Sequence, residues 1–85
     1  MKYHIEIPNH FDKILKKIPK DDLIRIRNRI RQLAMEPRPY GVEKLDDNLY
    51  RVRQGNYRIL YKIYDDKLLV LIVTVDHRRE VYKNL

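Results

Sequence analysis

The sequence predicts an α+β fold in which two helices pack on one face of a mostly antiparallel, four-stranded sheet. Apolar residues recur at helical spacing in the first half of the chain and alternate with polar residues in much of the second half. A Gly-Asn pair at positions 55–56 separates two alternating runs, which is a strong hairpin signal. The 85 residues suit a single domain spanning residues 1–85, with the order β-α-α-β-β-β and a short C-terminal element.

The N-terminal residues predict a strand and then a short helix. Tyr3, Ile5 and Ile7 alternate with polar residues, and Pro8 ends the run. Asn9 is of a type that caps helices. The apolar side of the helix that follows would comprise Phe11, Ile14, Leu15 and Ile18.

A second helix is predicted after Pro19, a residue that suits a first helical turn. This helix should stop before Pro37, and residues 36–41 have the composition of a loop. Its apolar face would comprise Leu23, Ile26, Ile30, Leu33 and Ala34.

Three further strands are predicted near residues 48–54, 57–64 and 67–76, with Asp65-Asp66 forming the second turn. Together with the N-terminal strand they complete the four-stranded sheet. Residues 77–85 form the short C-terminal element.

The predicted hairpin brings three arginines to one face. If Gly55-Asn56 is a two-residue loop, Arg53 faces Arg58 and Arg51 faces Leu60, so all three guanidiniums lie on the same side of the sheet. Like charges directly opposite each other destabilise a bare hairpin, which suggests that this face meets an anion. The formal net charge of +7 and the pI near 9.8 favour a polyanion, and RNA phosphate is the favoured candidate.

Composition excludes several other classes of protein and site. Without cysteine the chain has neither a disulfide framework nor a thiolate metal site. No Gly-rich phosphate loop and no His/Asp/Glu set with metal-ligand spacing occurs in the sequence. No signal peptide or membrane span is visible, so a cytoplasmic protein without a membrane partner is expected.

Three segments together resemble a known family. The run LYRVRQGNYRILYKI follows a strand and two helices, and an apolar strand then ends in VDHRREVY. This layout resembles the RelE/ParE toxin superfamily, and in particular its RelE-like branch of ribosome-dependent mRNA endonucleases. The resemblance covers essentially the whole chain.

The resemblance implies an activity and a set of site residues. RelE-like toxins of type II toxin–antitoxin systems cleave mRNA in the ribosomal A site by attack of the ribose 2′-hydroxyl, without a metal or other cofactor. Carried over by position, Arg58 would hold the scissile phosphate, and Arg78 would stabilise the transition state or protonate the leaving oxygen. Tyr82 would stack on the nucleotide beside the cut. Arg51 and Arg53 would contact the substrate at positions where the best-known branch has two lysines.

Two departures from the family pattern bear on mechanism. Arginine at 51 and 53 stays protonated and is a poor general base, which leads to the hypothesis that catalysis is mainly electrostatic and positional. His77 is then a candidate titrating group, and Glu80 is a second one.

The second departure is the spacing before Tyr82, which is shorter than in the best-known branch. The pairing of Arg78 with the family's catalytic arginine is therefore open. Arg79 is the alternative catalytic arginine. If Arg78 is the catalytic residue, Arg79 would contact the substrate.

The implied partners are a cognate RelB-like antitoxin, the ribosome, mRNA, and operator DNA reached through the antitoxin complex. On the ribosome, the contact would be with the rRNA that surrounds the A site of the small subunit. Two alternatives remain open. One is a ParE-like inhibitor of DNA gyrase without nuclease activity. The other is an inactive remnant that binds only the antitoxin and the operator.

Overall fold

The secondary structure follows the predicted order with one additional strand. The computed structural model describes residues 2–77. Its helices and strands are β1 (His4–Glu6), α1 (Phe11–Leu15), α2 (Lys20–Met35), β2 (Glu43–Lys44), β3 (Leu49–Gln54), β4 (Tyr57–Tyr64) and β5 (Leu69–His77). The α+β class is confirmed.

Within residues 2–77 the sheet has five strands in the order β1-β5-β4-β3-β2, rather than the four predicted. The extra strand, β2, is only two residues long and pairs antiparallel with β3, Glu43 opposite Arg51 and Lys44 opposite Tyr50. Too short to show an alternating pattern, it forms because β3 offers an open edge. Strand β1 pairs parallel with β5, and the other pairs are antiparallel.

The second turn is longer than predicted. Asp65–Lys67 form a 3₁₀ turn and Leu68 adopts a left-handed conformation with φ of 49°, so β5 begins at Leu69 instead of residue 67. The positive φ at a leucine closes the turn, with the Leu68 N–H bonded to the Asp65 carbonyl at 3.2 Å.

The first helix differs from the prediction at its N-terminus. His10 occupies the cap position, and no side chain caps the helix, so the expected capping by Asn9 is wrong. The Phe11 N–H instead bonds the Pro8 carbonyl at 3.0 Å. The helix ends at Leu15, yet Ile18 beyond it is buried as expected.

The second helix follows the predicted pattern closely. Pro19 directly precedes its first residue, and the helix ends at Met35, before Pro37. Its buried residues are Ile26, Ile30, Leu33 and Ala34.

Both helices pack on the same face of the sheet, as predicted. The strand residues buried beneath them include Tyr50, Val52, Tyr57, Ile59 and Tyr61. On the opposite face, residues 51, 53, 58 and 60 remain partly or fully exposed. Within residues 2–77 no helix covers that face.

A polar cluster ties distant parts of the chain together. The Arg38 guanidinium donates to both carboxylate oxygens of Asp65 at 3.1 and 2.8 Å, and its Nε donates to the Tyr50 hydroxyl at 3.2 Å. The Tyr3 hydroxyl donates to the same carboxylate at 2.6 Å. These bonds hold the pKa of Asp65 down at about 2, with Arg38 the main cause. The cluster joins the N-terminus, the loop after α2, β3 and the β4–β5 turn.

Candidate nucleic-acid interface

The β3–β4 hairpin has the predicted two-residue turn. Gly55 has a φ of +60°, which a side-chain-free residue adopts without strain at the first position of a type II′ turn. The register follows from this turn: Gln54 lies opposite Tyr57, Arg53 opposite Arg58, and Arg51 opposite Leu60. The predicted placement of the three arginines is confirmed.

Arg51, Arg53 and Arg58 therefore define an arginine face on the side of the sheet away from the helices. Arg53 is exposed, whereas Arg51 and Arg58 are half-buried. The Nε of Arg51 and one terminal nitrogen of Arg58 are shielded from solvent and have no hydrogen-bond acceptor within the described residues. Buried guanidinium donors are costly to leave unpaired, so these arginines are placed at a cost to the stability of the free protein.

One carboxylate contacts the arginine face from the sheet edge. Glu43 lies opposite Arg51 and accepts a hydrogen bond from its guanidinium at 2.7 Å. This bond lowers the pKa of Glu43, and the charges of Arg58 and Arg53 lower it further. The contact of Glu43 with the arginine face was not predicted from the sequence, because β2 carries no recognisable strand pattern.

The ion pair with Glu43 involves Arg51 alone. Within residues 2–77, no ion pair joins Arg53 or Arg58 to a carboxylate. A guanidinium fork suits phosphate oxygens, and the opposed positions of Arg53 and Arg58 put two such residues on one face.

Strand β5 sends its last two described residues to opposite faces. Asp76 lies opposite Arg58, and His77 lies opposite Tyr57. The rings of His77 and Tyr57 pack edge to face with centroids 4.9 Å apart, and both line a cavity beside Lys13 and Lys17 of α1. The structure thus brings Asp76, not His77, to the side of the arginine face.

The placement of His77 bears on its suggested role beside the arginines. Its ring is on the helix side of the sheet, so it does not face Arg58 directly. A catalytic role for His77 stays a prediction, and its location gives that prediction a direct test.

The remaining site residues predicted from the sequence lie outside the described residues. They are Arg78, Arg79 and Tyr82, together with the second candidate base Glu80. Their roles stay predictions. In the sequence they come soon after His77.

Comparison with known proteins identifies the family. A family model described as the ParE toxin of the type II toxin–antitoxin system parDE matches residues 5–82. The chain belongs to the RelE/ParE family of type II toxins. It is also 32% identical over 89 residues to a Methanocaldococcus jannaschii protein assigned as toxin RelE1, covering 99% of both chains.

Solved structures agree with this family. The chain is similar to one in the RelE–RelB complex of Pyrococcus horikoshii, with 29% identity, a TM-score of 0.84, and coverage of 92% of this chain and 97% of that one. It is also similar to one in the toxin–antitoxin complex RelBE2 of Mycobacterium tuberculosis, with 28% identity, a TM-score of 0.79, and coverage of 92% and 100%. The resemblance drawn from the sequence is confirmed. No helix of the described residues is long and apolar enough to cross a membrane.

Proposed function

We propose that this RelE-family toxin is a ribosome-dependent endoribonuclease that cleaves mRNA in the A site by attack of the ribose 2′-hydroxyl on the adjacent phosphate. The observation that carries the proposal is the opposed pair Arg53 and Arg58. The two guanidiniums face the same way and form no ion pair within residues 2–77. Like charges directly opposite each other are unfavourable. Asp76, opposite Arg58 on β5, forms no ion pair with it within the described residues, so an anionic substrate explains the arrangement.

The chemistry suits arginine. Attack by the 2′-hydroxyl builds negative charge on the phosphorane, and fixed guanidiniums aimed at its oxygens stabilise that charge. In this proposal Arg58 holds the scissile phosphate while Arg51 and Arg53 bind the flanking backbone. Alignment of the 2′-oxygen with the departing 5′-oxygen supplies a further large share of the acceleration.

The C-terminal residues complete the proposed site. Arg78, with Arg79 as the alternative, stabilises the phosphorane or protonates the leaving oxygen, and Arg79 otherwise contacts substrate. Tyr82 stacks on the nucleotide next to the cut, an interaction worth about 1–3 kcal/mol. In this proposal Glu80 accepts the 2′-hydroxyl proton, and His77 is the alternative, because the His77 ring lies on the helix side of the sheet and not beside Arg58.

The proposed partners are a RelB-like antitoxin, the ribosome with its mRNA and rRNA, and operator DNA bound through the antitoxin complex. Solved relatives from Pyrococcus horikoshii and Mycobacterium tuberculosis are toxin–antitoxin complexes, which supports the first of these. The formal net charge of +7 suits an acidic antitoxin segment as well as RNA. A cytoplasmic location follows from such partners.

A reconstituted translation reaction tests the proposal. Purified protein is added and mRNA 5′ ends are mapped by primer extension, with an Arg58→Ala/Arg78→Ala double variant alongside. Arg27→Ala/Arg31→Ala removes the same charge from exposed positions of α2 and serves as the control. We expect cuts within A-site codons, only with ribosomes, from the wild type and the control but not from the double variant.

A second candidate function rests on the description of the matching family model, which is that of a ParE toxin. A gyrase inhibitor would leave mRNA intact in the same reaction and would block supercoiling of plasmid DNA by purified gyrase. Intact mRNA together with normal supercoiling would instead indicate a remnant that binds only the antitoxin and operator.

A further inference from the structure

A cavity of about 270 Å³ opens at the sheet edge next to the hairpin. It lies between α2, the loop that leads into β2, and the end of β3. We call it the edge cavity, and its lining residues are Arg29, Tyr40, Gly41, Glu43, Val52 and Arg53.

Tyr40 presents an aromatic ring to solvent at the rim of the edge cavity. Its side chain is fully exposed, more so than any other large apolar side chain in the described residues. A tight turn carries it: the Val42 N–H bonds the Pro39 carbonyl at 3.1 Å, and Gly41 has the φ of +85° that a type II turn requires at this position. The ring is therefore displayed by an ordered turn in a place where it contributes little to the core.

Two guanidiniums with unpaired hydrogen-bond donors line the same cavity. Arg29 is half-buried, and one terminal nitrogen bonds Gln32 at 3.1 Å, while the other terminal nitrogen has no acceptor within the described residues. Arg53 forms no ion pair in that part of the chain. Among the described residues that line the cavity, Glu43 is the one carboxylate, and it is already bonded to Arg51. These lining residues therefore carry a net positive charge.

We propose that the edge cavity is a second nucleotide subsite, in which Tyr40 stacks on a base of single-stranded RNA while Arg29 and Arg53 hold its phosphate. The inference rests on the proposed function and extends the RNA path beyond the site of cleavage. Arg53 belongs to both the arginine face and the edge cavity, so a strand bound at Arg58 continues into the cavity without a break.

The features favour RNA over a protein ligand. An exposed ring next to guanidinium donors is the combination that single-strand binding proteins use, since every base has a face for stacking and every linkage a phosphate. An acidic peptide would use the guanidiniums but would have no need for a fully exposed ring displayed on a turn.

Fluorescence anisotropy with a labelled 2′-O-methyl hexanucleotide tests the subsite, because this RNA lacks the attacking hydroxyl and stays intact. We expect Tyr40→Ala in the full chain to weaken binding about 5- to 150-fold, and Tyr40→Phe, which keeps the ring, to bind like the wild type.

A charge-matched pair on α2 tests the phosphate contact. Arg29→Gln should lower the slope of log affinity against log salt by about 0.7, the value for one phosphate on a single strand. Arg27→Gln, at an exposed position of the same helix that does not line the cavity, should leave the slope unchanged.

The outcomes separate this inference from the proposed function. Hexanucleotide affinity unchanged in both Tyr40→Ala and Arg29→Gln would overturn the subsite, even if the wild type cuts mRNA on ribosomes. If Tyr40→Ala and Arg29→Gln lose antitoxin binding but bind RNA like the wild type, the subsite would also be overturned, since the cavity would then be a protein contact. The wild type could also fail to cut mRNA while both variants bind RNA more weakly than it does. That result would support the subsite and contradict the proposed nuclease activity.

Binding to ribosomes identifies the source of the nucleotide. If mRNA occupies the edge cavity, Tyr40→Ala should weaken binding to programmed ribosomes and leave binding to vacant ribosomes unchanged. If rRNA occupies it, the variant should weaken both equally. An affinity for both kinds of ribosome equal to that of the wild type would count against the subsite.

Discussion

Arg53 and Arg58 lie directly opposite each other across the β3–β4 hairpin, with both side chains on the face that no described helix covers. Cross-strand neighbours at such positions have Cβ atoms about 4.5–5.5 Å apart, so the two positive charges repel each other in the free protein. Repulsion of this kind is relieved when a phosphate binds between them. In the proposed function, the pair therefore links folding stability to substrate binding at one position of the hairpin.

Arg53→Thr should stabilise the free protein while weakening RNA binding. Removal of one of two opposed like charges, and introduction of a β-branched residue, should raise the free energy of unfolding by about 0.5–1 kcal/mol. Urea denaturation at low and high salt measures the effect, which should shrink as salt screens the repulsion.

Lys62→Thr is the matched control for that measurement. Lys62 lies on the same hairpin and faces Leu49 instead of a cation, so its removal should give a smaller gain with less salt dependence. Equal gains from both variants would mean that β propensity, and not the opposition of charge, accounts for the stabilisation.

Tyr61→Phe should destabilise the fold by about 1–3 kcal/mol. Tyr61 is fully buried, and its hydroxyl donates to the Pro37 carbonyl at 2.7 Å; burial raises the pKa of this phenol. Removal of the hydroxyl leaves a buried carbonyl without its donor. Thermal or urea unfolding gives the value.

Tyr57→Phe provides the comparison for Tyr61, since the Tyr57 ring is buried on the same strand but its hydroxyl has no hydrogen bond within residues 2–77. It should change stability by less than about 0.5 kcal/mol. Similar losses in both variants would contradict a specific contribution from the bond to Pro37.

The hairpin could be predicted from sequence because a two-residue turn fixes register locally. Gly55-Asn56 alone determines which residues face each other, so the pairing of Arg53 with Arg58 followed from the turn. Glu43 was missed because a two-residue strand has no periodicity, and it reaches Arg51 only through the sheet edge. Pairs distant in sequence, such as Arg38 with Asp65, leave no local signal at all.

The location of His77 shows the same limit of prediction from sequence, here at the candidate site. Sequence adjacency to Arg78 suggested a shared surface, but alternation along β5 sends His77 to the helix side and Asp76 to the side of Arg58. A one-residue difference along a strand reverses the face. Proximity in sequence is therefore a poor guide to a shared site within a strand.

His77→Ala should leave the pH dependence of mRNA cleavage between pH 6 and 8 unchanged, because the ring packs on Tyr57 away from Arg58. The variant should instead lose about 0.5–1.5 kcal/mol of stability through the aromatic contact. Single-turnover cleavage on programmed ribosomes across this pH range is the measurement. A profile that flattens in the variant would establish His77 as the titrating group in the reaction.

The Arg38–Asp65 cluster predicts an acid-sensitive contribution to stability. The folded-state pKa of Asp65 is about 2, lowered by its bonds to Arg38 and Tyr3, whereas an unperturbed aspartate titrates near 3.9. A pKa lowered by folding gives stability that is present above the unfolded value and is lost as pH falls from about 4 to about 2. Asp65→Asn should therefore unfold at lower urea than the wild type at pH 7, and the two midpoints should converge near pH 2. Asp66→Asn, beside it and without an ion pair in residues 2–77, should unfold at the same urea concentration as the wild type at pH 7. A gap between wild type and Asp65→Asn that persists unchanged at pH 2 would show that the carboxylate charge is not what holds the β4–β5 turn to Arg38.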